Sequence, residues 1–223
     1  MSLSYSQMSF QGDTNIGLNG FATDSYCIIG EKAEKKKGEI SKILDIPVFV
    51  TSILHIDLAK IFICGNTKML LVPRFLFDSD IKNLEKITKE IGIELIQIDT
   101  NKALGNLILM NDNGAIVSPL IKDVTHQLDE IGIVSKVETI AKLNVVGTRG
   151  ICTNKGCLLG SDATEDEIKS IETTLKVSAD IGTVGFGSPF PGAGIIANSH
   201  GFVSCPKTSG IELGKIAEAL GFE

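Results

Sequence analysis

A strand–turn–strand phrase recurs five times in this chain at nearly constant intervals, and no other feature restricts the fold as much. Its first turn residue falls at Thr23, Asn66, Asn111, Thr153 and Asn198, with spacings of 43, 45, 42 and 45. Six residues ahead of these stand Gly17, Lys60, Gly105, Gly147 and Gly192. Glycine makes up only 23 of 223 residues, so four in register mark a structural requirement. A strand that crowds an axis leaves no room for a side chain, and that is the expected role of the four glycines. Lys60 breaks the pattern. Either its unit is displaced, or its side chain points along the axis toward solvent.

The segments after each phrase repeat too. DSDIKNLEKITKEIG puts Ile81, Leu84, Ile87 and Ile91 on one helical face. DATEDEIKSIETTLK does so with Ile168, Ile171 and Leu175, and TSGIELGKIAEALGF with Leu213, Ile216, Ala217 and Leu220. Thr164 with Glu167, and Ser209 with Glu212, have capping-box spacing. DVTHQLDEIG offers Val124, Leu128 and Ile131, and the first unit offers Ile40, Ile43 and Leu44. Each helix is short and one-sided, so each must lie against something else. A β-branched run comes after four of the helices, at residues 46–53, 93–98, 133–140 and 177–184. The fifth unit ends at Glu223 without one, and SYSQMSFQ (4–11) is the spare segment that would complete it.

The expected architecture is therefore α/β. One domain over residues 1–223 holds five units of about 44 residues, each strand–turn–strand–helix–strand. The N-terminal strand closes the ring and removes exposed sheet edges. A ring closed in this way needs no second copy, so a monomer is expected.

Composition narrows the function. The chain is 43% hydrophobic, enough for a sizeable core, yet its longest apolar runs, such as IPVFVTSIL (46–54), are too short to span a bilayer. The N-terminus lacks the basic start and apolar run of a secretory signal. Five scattered cysteines without a C-x-x-C favour a reducing cytoplasm. Net charge is −6 and pI about 5.2, which argues against a dedicated DNA or RNA binder and suits a basic protein partner. The basic run at residues 35–37 is flanked by Glu31, Glu34 and Glu39 and reads as a solvated loop or first helical turn.

No motif presents a catalytic constellation. Cys205 and His200 are a conceivable nucleophile and base, but their separation across a turn fixes no geometry. Cys152 and Cys157 flank one turn and would face each other, two ligands short of a metal site. His55, His126 and His200 sit in different units. GTVGFGSPFPGAG (182–194) is Gly-rich without a dinucleotide or P-loop pattern, and reads as a crossover between units. Acidic residues gather at helix starts (Asp78, Asp80, Asp123, Asp162, Glu165, Asp166), where the helix dipole favours them. Asn15, Asn106, Lys142, Asn144 and Arg149 are polar positions in loops, suited to turns or to contact at one end of the ring. A binding module without metal or cofactor outranks an enzyme.

Three phrases carry a resemblance. ALGNLILMNDNGAIVSPL (103–120), ETIAKLNVVGTRGICTNKGCLLGSDATEDEI (138–168) and DIGTVGFGSPFPGAGIIANSHGFVSC (180–205) closely resemble the translation initiation factor 6 family in its archaeal form. NIGLNGFATDSY (15–26) resembles it loosely. The resemblance implies the pentein fold, a five-bladed α–β propeller, and no catalysis. It implies binding to the large ribosomal subunit on the face that meets the small one, chiefly through a ribosomal protein near the sarcin–ricin loop, with limited rRNA contact. The factor then blocks subunit joining sterically; in eukaryotes the family also serves large-subunit maturation. The family's LGN phrase matches Leu104 to Asn106 and places Asn106 at or beside the ribosome-facing end. The NVVG phrase matches Asn144 to Gly147, and fivefold symmetry brings Asn15 and Lys60 to the same end. This chain has Lys60 and Ile61 where members commonly carry Gly-Arg. The alternative is a guanidine-modifying enzyme of the same fold. It would need Cys205 to converge with His126 or His200.

Overall fold

The computed structural model describes residues 4–222. Residues 1–3, the start of the segment that lacks the pattern of a secretory signal, and residue 223, where the fifth unit stops, lie outside them. The described residues form five three-stranded sheets. Blade one holds Gly20–Ala22, Cys27–Ile29 and Val48–Val50. Blade two holds Cys64–Gly65, Met69–Pro73 and Glu94–Ile98. Blade three holds Ile108–Met110, Ala115–Val117 and Ser135–Val137, and blade four Gly150–Cys152, Gly156–Gly160 and Ser178–Gly182. Blade five joins Ile195–Ala197 and Gly201–Ser204 to the N-terminal strand Ser4–Gln7. In every blade the first two strands are an antiparallel hairpin and the third runs parallel to the second.

The recurring Thr or Asn has a local cause. Its side-chain oxygen accepts backbone N–H groups two and three residues on, which closes the hairpin turn. Asn66 Oδ1 takes those of Lys68 (2.9 Å) and Met69 (3.1 Å), and Asn111 Oδ1 those of Asn113 (2.9 Å) and Gly114 (3.2 Å). Asn198, Thr23 and Thr153 do the same in their own turns. Only a short side-chain acceptor makes this bond, hence Asn or Thr at all five positions.

The cores lie between blades. Middle-strand residues alternate between the two flanking wedges: Leu70 and Val72 face blade one, whereas Leu71 faces blade three. Likewise Cys157 and Leu159 face blade three and Leu158 faces blade five. A strand buried on both faces reads as a continuous apolar run, as these do. The helices seal the wedges. Asp78–Ile91 lays Ile81, Leu84, Ile87 and Ile91 against the first wedge. Glu165–Leu175 and Gly210–Ala219 carry the two capping boxes.

One expectation is corrected. The four in-register glycines do not lie on strands. Each sits in a one-turn helix just before the first strand: Ile16–Asn19, Leu104–Leu107, Val146–Arg149 and Pro191–Gly194, with Ala59–Phe62 as the counterpart in blade two. These five turns pack on one another in a closed circle about the axis. A methyl group on Gly17 would come to 2.5 Å from the carbonyl oxygen of Gly192 and 2.6 Å from that of Ile195. One on Gly192 would meet the carbonyl oxygens of Gly147 and Thr148, at 2.5 and 2.9 Å. The crowding is real, but it comes from backbone of the neighbouring turn.

Four of the five linkers into these turns reverse through residues with positive φ: Gln11 and Gly12, Leu54 and His55, Ala141 and Lys142, Gly185 with Phe186 and Gly187. Carboxylates from the helix starts hold three of them, Asp80 through the N–H of Leu54 (3.2 Å). Glu212 accepts N–H bonds from Phe186 (3.1 Å) and Gly187 (2.8 Å) besides capping its own helix through Ser209 (2.7 Å). Glu167 serves Ala141 and Lys142 in the same way, both at 2.9 Å. Burial pushes the Glu212 carboxyl up, but donors from Ser209, Gly187, Thr183 and Phe186 outweigh it and hold it at about 2. A carboxyl lowered on folding contributes stability above its unfolded value, and that contribution fades as pH falls toward 2. Glu212→Gln is therefore expected to cost on the order of 2 kcal/mol at neutral pH. Its deficit should shrink in acid, which urea unfolding at neutral and acid pH checks.

Candidate functional site

The ring has two dissimilar ends. At the hairpin end, the residue after each anchor ties its blade to others. Thr67 N–H donates to Asp112 (2.8 Å), and Asp112 N–H to Asn154 (3.0 Å). Asn154 Nδ2 crosses the axis to Asp24 (2.8 Å), which also takes the N–H of Ser199 (2.7 Å). These polar groups satisfy one another and close that mouth to a space of about 20 Å³.

The axial-turn end is different. It carries the linkers, the five one-turn helices and the starts of the long helices. Asn15 and Asn144 lie exposed in the approaches to the first and fourth turns. Asn106 is half-buried in the third, with Oδ1 accepting from Thr148 Oγ1 of the next blade. Arg149, only 1% exposed, is not a contact residue: its guanidinium donates to Pro189 O at 2.6 Å, pairs with Asp162 and covers the Phe190 ring.

Lys60 follows neither expectation. Its unit is not displaced, since Ala59–Phe62 forms the same one-turn helix as its counterparts. Nor does its ammonium point outward. Nζ reaches across the ring and donates to the carbonyl oxygen of Gly192 at 2.6 Å. The four facing glycines leave the centre open, and an inward lysine is the side chain long enough to cross it. Lys60 lines an axial cavity of about 50 Å³ with Cys64, Met110, Gly105, Gly147 and Cys152. Burial pulls its pKa down to about 8.

Sequence reasoning missed the apolar tips. Nine large apolar residues are exposed among the described residues, and seven belong to the axial-turn end: Ile56, Phe75, Phe77, Leu120, Leu143, Phe186 and Ile211. Phe186 and Ile211, 86% and 88% exposed, adjoin through Glu212 at the junction of blades four and five. Ile56, Phe75 and Phe77 cluster at blade two, where Phe77 leans on His55 (centroids 6.1 Å apart). The available signal was the apolar residue inside a Gly-rich turn, GFG at 185–187.

The residues considered for catalysis stay apart. Cys205 is buried, with its thiol 3.3 Å from Thr208 Oγ1. His200 lies in the hairpin turn at the far end of strand Gly201–Ser204, with Nδ1 3.1 Å from Leu44 O. Five residues of strand separate the two by about 16 Å. His126 is exposed on helix Val124–Glu130 of blade three. The arrangement needed for the guanidine-modifying alternative is absent among the described residues. Cys152 and Cys157 do pair across their hairpin, but Cys152 Sγ donates to Met110 O and burial pushes its pKa up to about 12. Among the described residues no group of three or more His, Cys, Asp or Glu is placed to hold a metal, and no helix is long and apolar enough to cross a membrane.

Sequence comparisons with known proteins agree on one family. Translation initiation factor 6 of Pyrococcus abyssi is 36% identical over 223 residues, covering 96% of this chain and 97% of that protein. The Methanocaldococcus jannaschii protein of the same name is 34% identical over 219 residues, covering 95% and 96%. A solved structure of DDAH from Pseudomonas aeruginosa complexed with citrulline matches 73% of this chain and 66% of its own at 10% identity, with a TM-score of 0.46. The model of the eIF-6 family matches residues 5–219. From end to end of its five blades, this chain belongs to the eIF-6 family.

Proposed function

We propose that this protein is a translation initiation factor that docks by its axial-turn end on the large ribosomal subunit and keeps the small subunit from joining. The supporting observation is the one-sided display of apolar tips: seven of nine exposed large apolar side chains among the described residues lie at that end. Apolar tips among polar neighbours mark a protein interface. Asn15, Asn106 and Asn144 lie among them as polar contacts. The partner is a basic ribosomal protein near the sarcin–ricin loop, with limited rRNA contact, since a net charge of −6 steers toward basic protein and away from phosphate. The action is steric and uses no cofactor. The factor works in the cytoplasm as a monomer, because each blade's wedge is filled by its neighbour.

The test is co-sedimentation with purified large subunits across a salt series, with and without small subunits. Pelleting with the large subunit, and fewer joined ribosomes in its presence, are expected. A protein left in the supernatant at low salt would sink the proposal.

A further inference from the structure

The axial circle brings together two things that the fold does not otherwise connect. Blades two and five are not neighbours, and their sheets share no wedge. Blade two carries Ile56, Phe75 and Phe77, and the linker into blade five carries Phe186 beside Ile211. The Lys60–Gly192 hydrogen bond spans the ring between these two groups. One end of it is the turn Ala59–Phe62, three residues after Ile56. The other is the turn Pro191–Gly194, into which the Phe186 linker runs directly.

We propose that Lys60 is a positioning residue for docking, whose cross-axis bond to Gly192 fixes the spacing between the apolar tips of blade two and those at the blade four–five junction. This rests on the docking reading above. Two rigid contact points on opposite sides of a ring bind together only if their separation matches the partner, so a strut between them acts on affinity without touching the partner. Lys60 forms no ion pair with a carboxylate among the described residues, so the Gly192 carbonyl is the acceptor that holds it.

The groups facing the strut leave its titration to Lys60 itself. The packed turns Ile16–Asn19 and Leu104–Leu107 and the strand Gly20–Ala22 contain no titratable side chain. Cys27, Cys64 and Cys152 are thiols raised by burial, Cys152 to about 12, and burial likewise raises Tyr26. All stay neutral through the range in which Lys60, near 8, loses its proton. Loss of the charge turns a charge-assisted bond into an ordinary one, roughly half as strong.

The sign for stability is opposite to that for docking. Folding lowers the Lys60 pKa from 10.5 to about 8, so its buried charge costs stability at neutral pH, and stability rises as pH climbs from 8 toward 10.5. Lys60→Met keeps the length and removes the charge. It is expected to raise the melting temperature at neutral pH and at the same time weaken large-subunit binding by about fivefold, the worth of one hydrogen bond. A residue with a merely structural role would move both in the same direction.

The experiment measures large-subunit affinity of wild type, Lys60→Met and Lys60→Arg between about pH 6.5 and pH 9, with amide hydrogen exchange of Pro191–Gly194 on the free proteins. Phe186→Asp serves as a docking control. Support is a wild-type affinity that declines above pH 8, a flat and weaker Lys60→Met profile, faster exchange at Ala193 in that variant, and partial rescue by Lys60→Arg. Equal affinity of Lys60→Met and wild type at every pH, with Phe186→Asp weakened, overturns the strut and leaves docking intact. Undiminished binding by Phe186→Asp overturns the docking reading, and the strut's role with it.

Discussion

Gly105→Ala is expected to destabilise the protein by at least about 3 kcal/mol, the largest effect of any single methyl group in the chain. The added carbon would overlap the carbonyl oxygens of Lys60 and Ile63, more deeply than the corresponding carbon at Gly17 meets its neighbours. Both obstacles are backbone atoms of blade two, held by their own turn and strand, so no rotamer change relieves them. The surrounding circle transmits the push: Gly105 is itself the surface against which Gly147 of blade four packs. Chemical denaturation of Gly105→Ala checks this, with Gly38→Ala as the comparison, since nothing lies within 4 Å of a methyl group there. A Gly105 variant as stable as the Gly38 variant would show that the axial turns have slack.

Phe186→Asp and Ile211→Asp form the second large prediction. Each should weaken large-subunit binding by more than tenfold, as loss of an interface anchor does. Each should shift folding stability by no more than about 0.5 kcal/mol, because side chains 86% and 88% exposed support little of the core. Val134→Asp supplies the contrast. Val134 is 60% exposed but precedes strand Ser135–Val137 at the hairpin end, so its charge should leave binding unchanged. Affinities measured for all three variants decide it. Equal losses at both ends would point to charge alone and remove the case for a one-sided face.

Five hairpins and the five helices that follow them were legible in the sequence because each rests on local physics: a side-chain acceptor for the turn, an apolar stripe for the helix, Thr164 with Glu167 or Ser209 with Glu212 for the cap. The axial turns were not legible. Four residues are too few to show helical period, and a glycine such as Gly105 suggests strand or turn as readily. The linkers hid for another reason. Leu54, His55, Ala141 and Lys142 adopt positive φ without a glycine or asparagine, a conformation sustained by carboxylates such as Glu167 from a distant part of the sequence. Lys60 shows the limit most plainly. Its departure from the repeat was visible, but the direction of its side chain depends on Gly192, 132 residues away. The apolar tips of the candidate face went unread because exposure belongs to the assembled ring, and Phe186 in isolation resembles any core phenylalanine.

The pairing of Ser4–Gln7 with Gly201–Ser204 has a consequence for how the molecule comes together. Blade five is built from segments nearly two hundred residues apart, whereas every blade's hairpin, its own included, closes within about ten residues. Until that last pairing forms, the fifth sheet lacks its outer strand, and Met8 and Phe10, which fill the wedge between blades five and one, have nowhere to go. The four blades made from continuous sequence can assemble in order, but the wedge between blades five and one stays incomplete until the seam closes. Folding should therefore finish in one slow concerted step, and unfolding should begin there, at the only join in the circle that the chain does not cross.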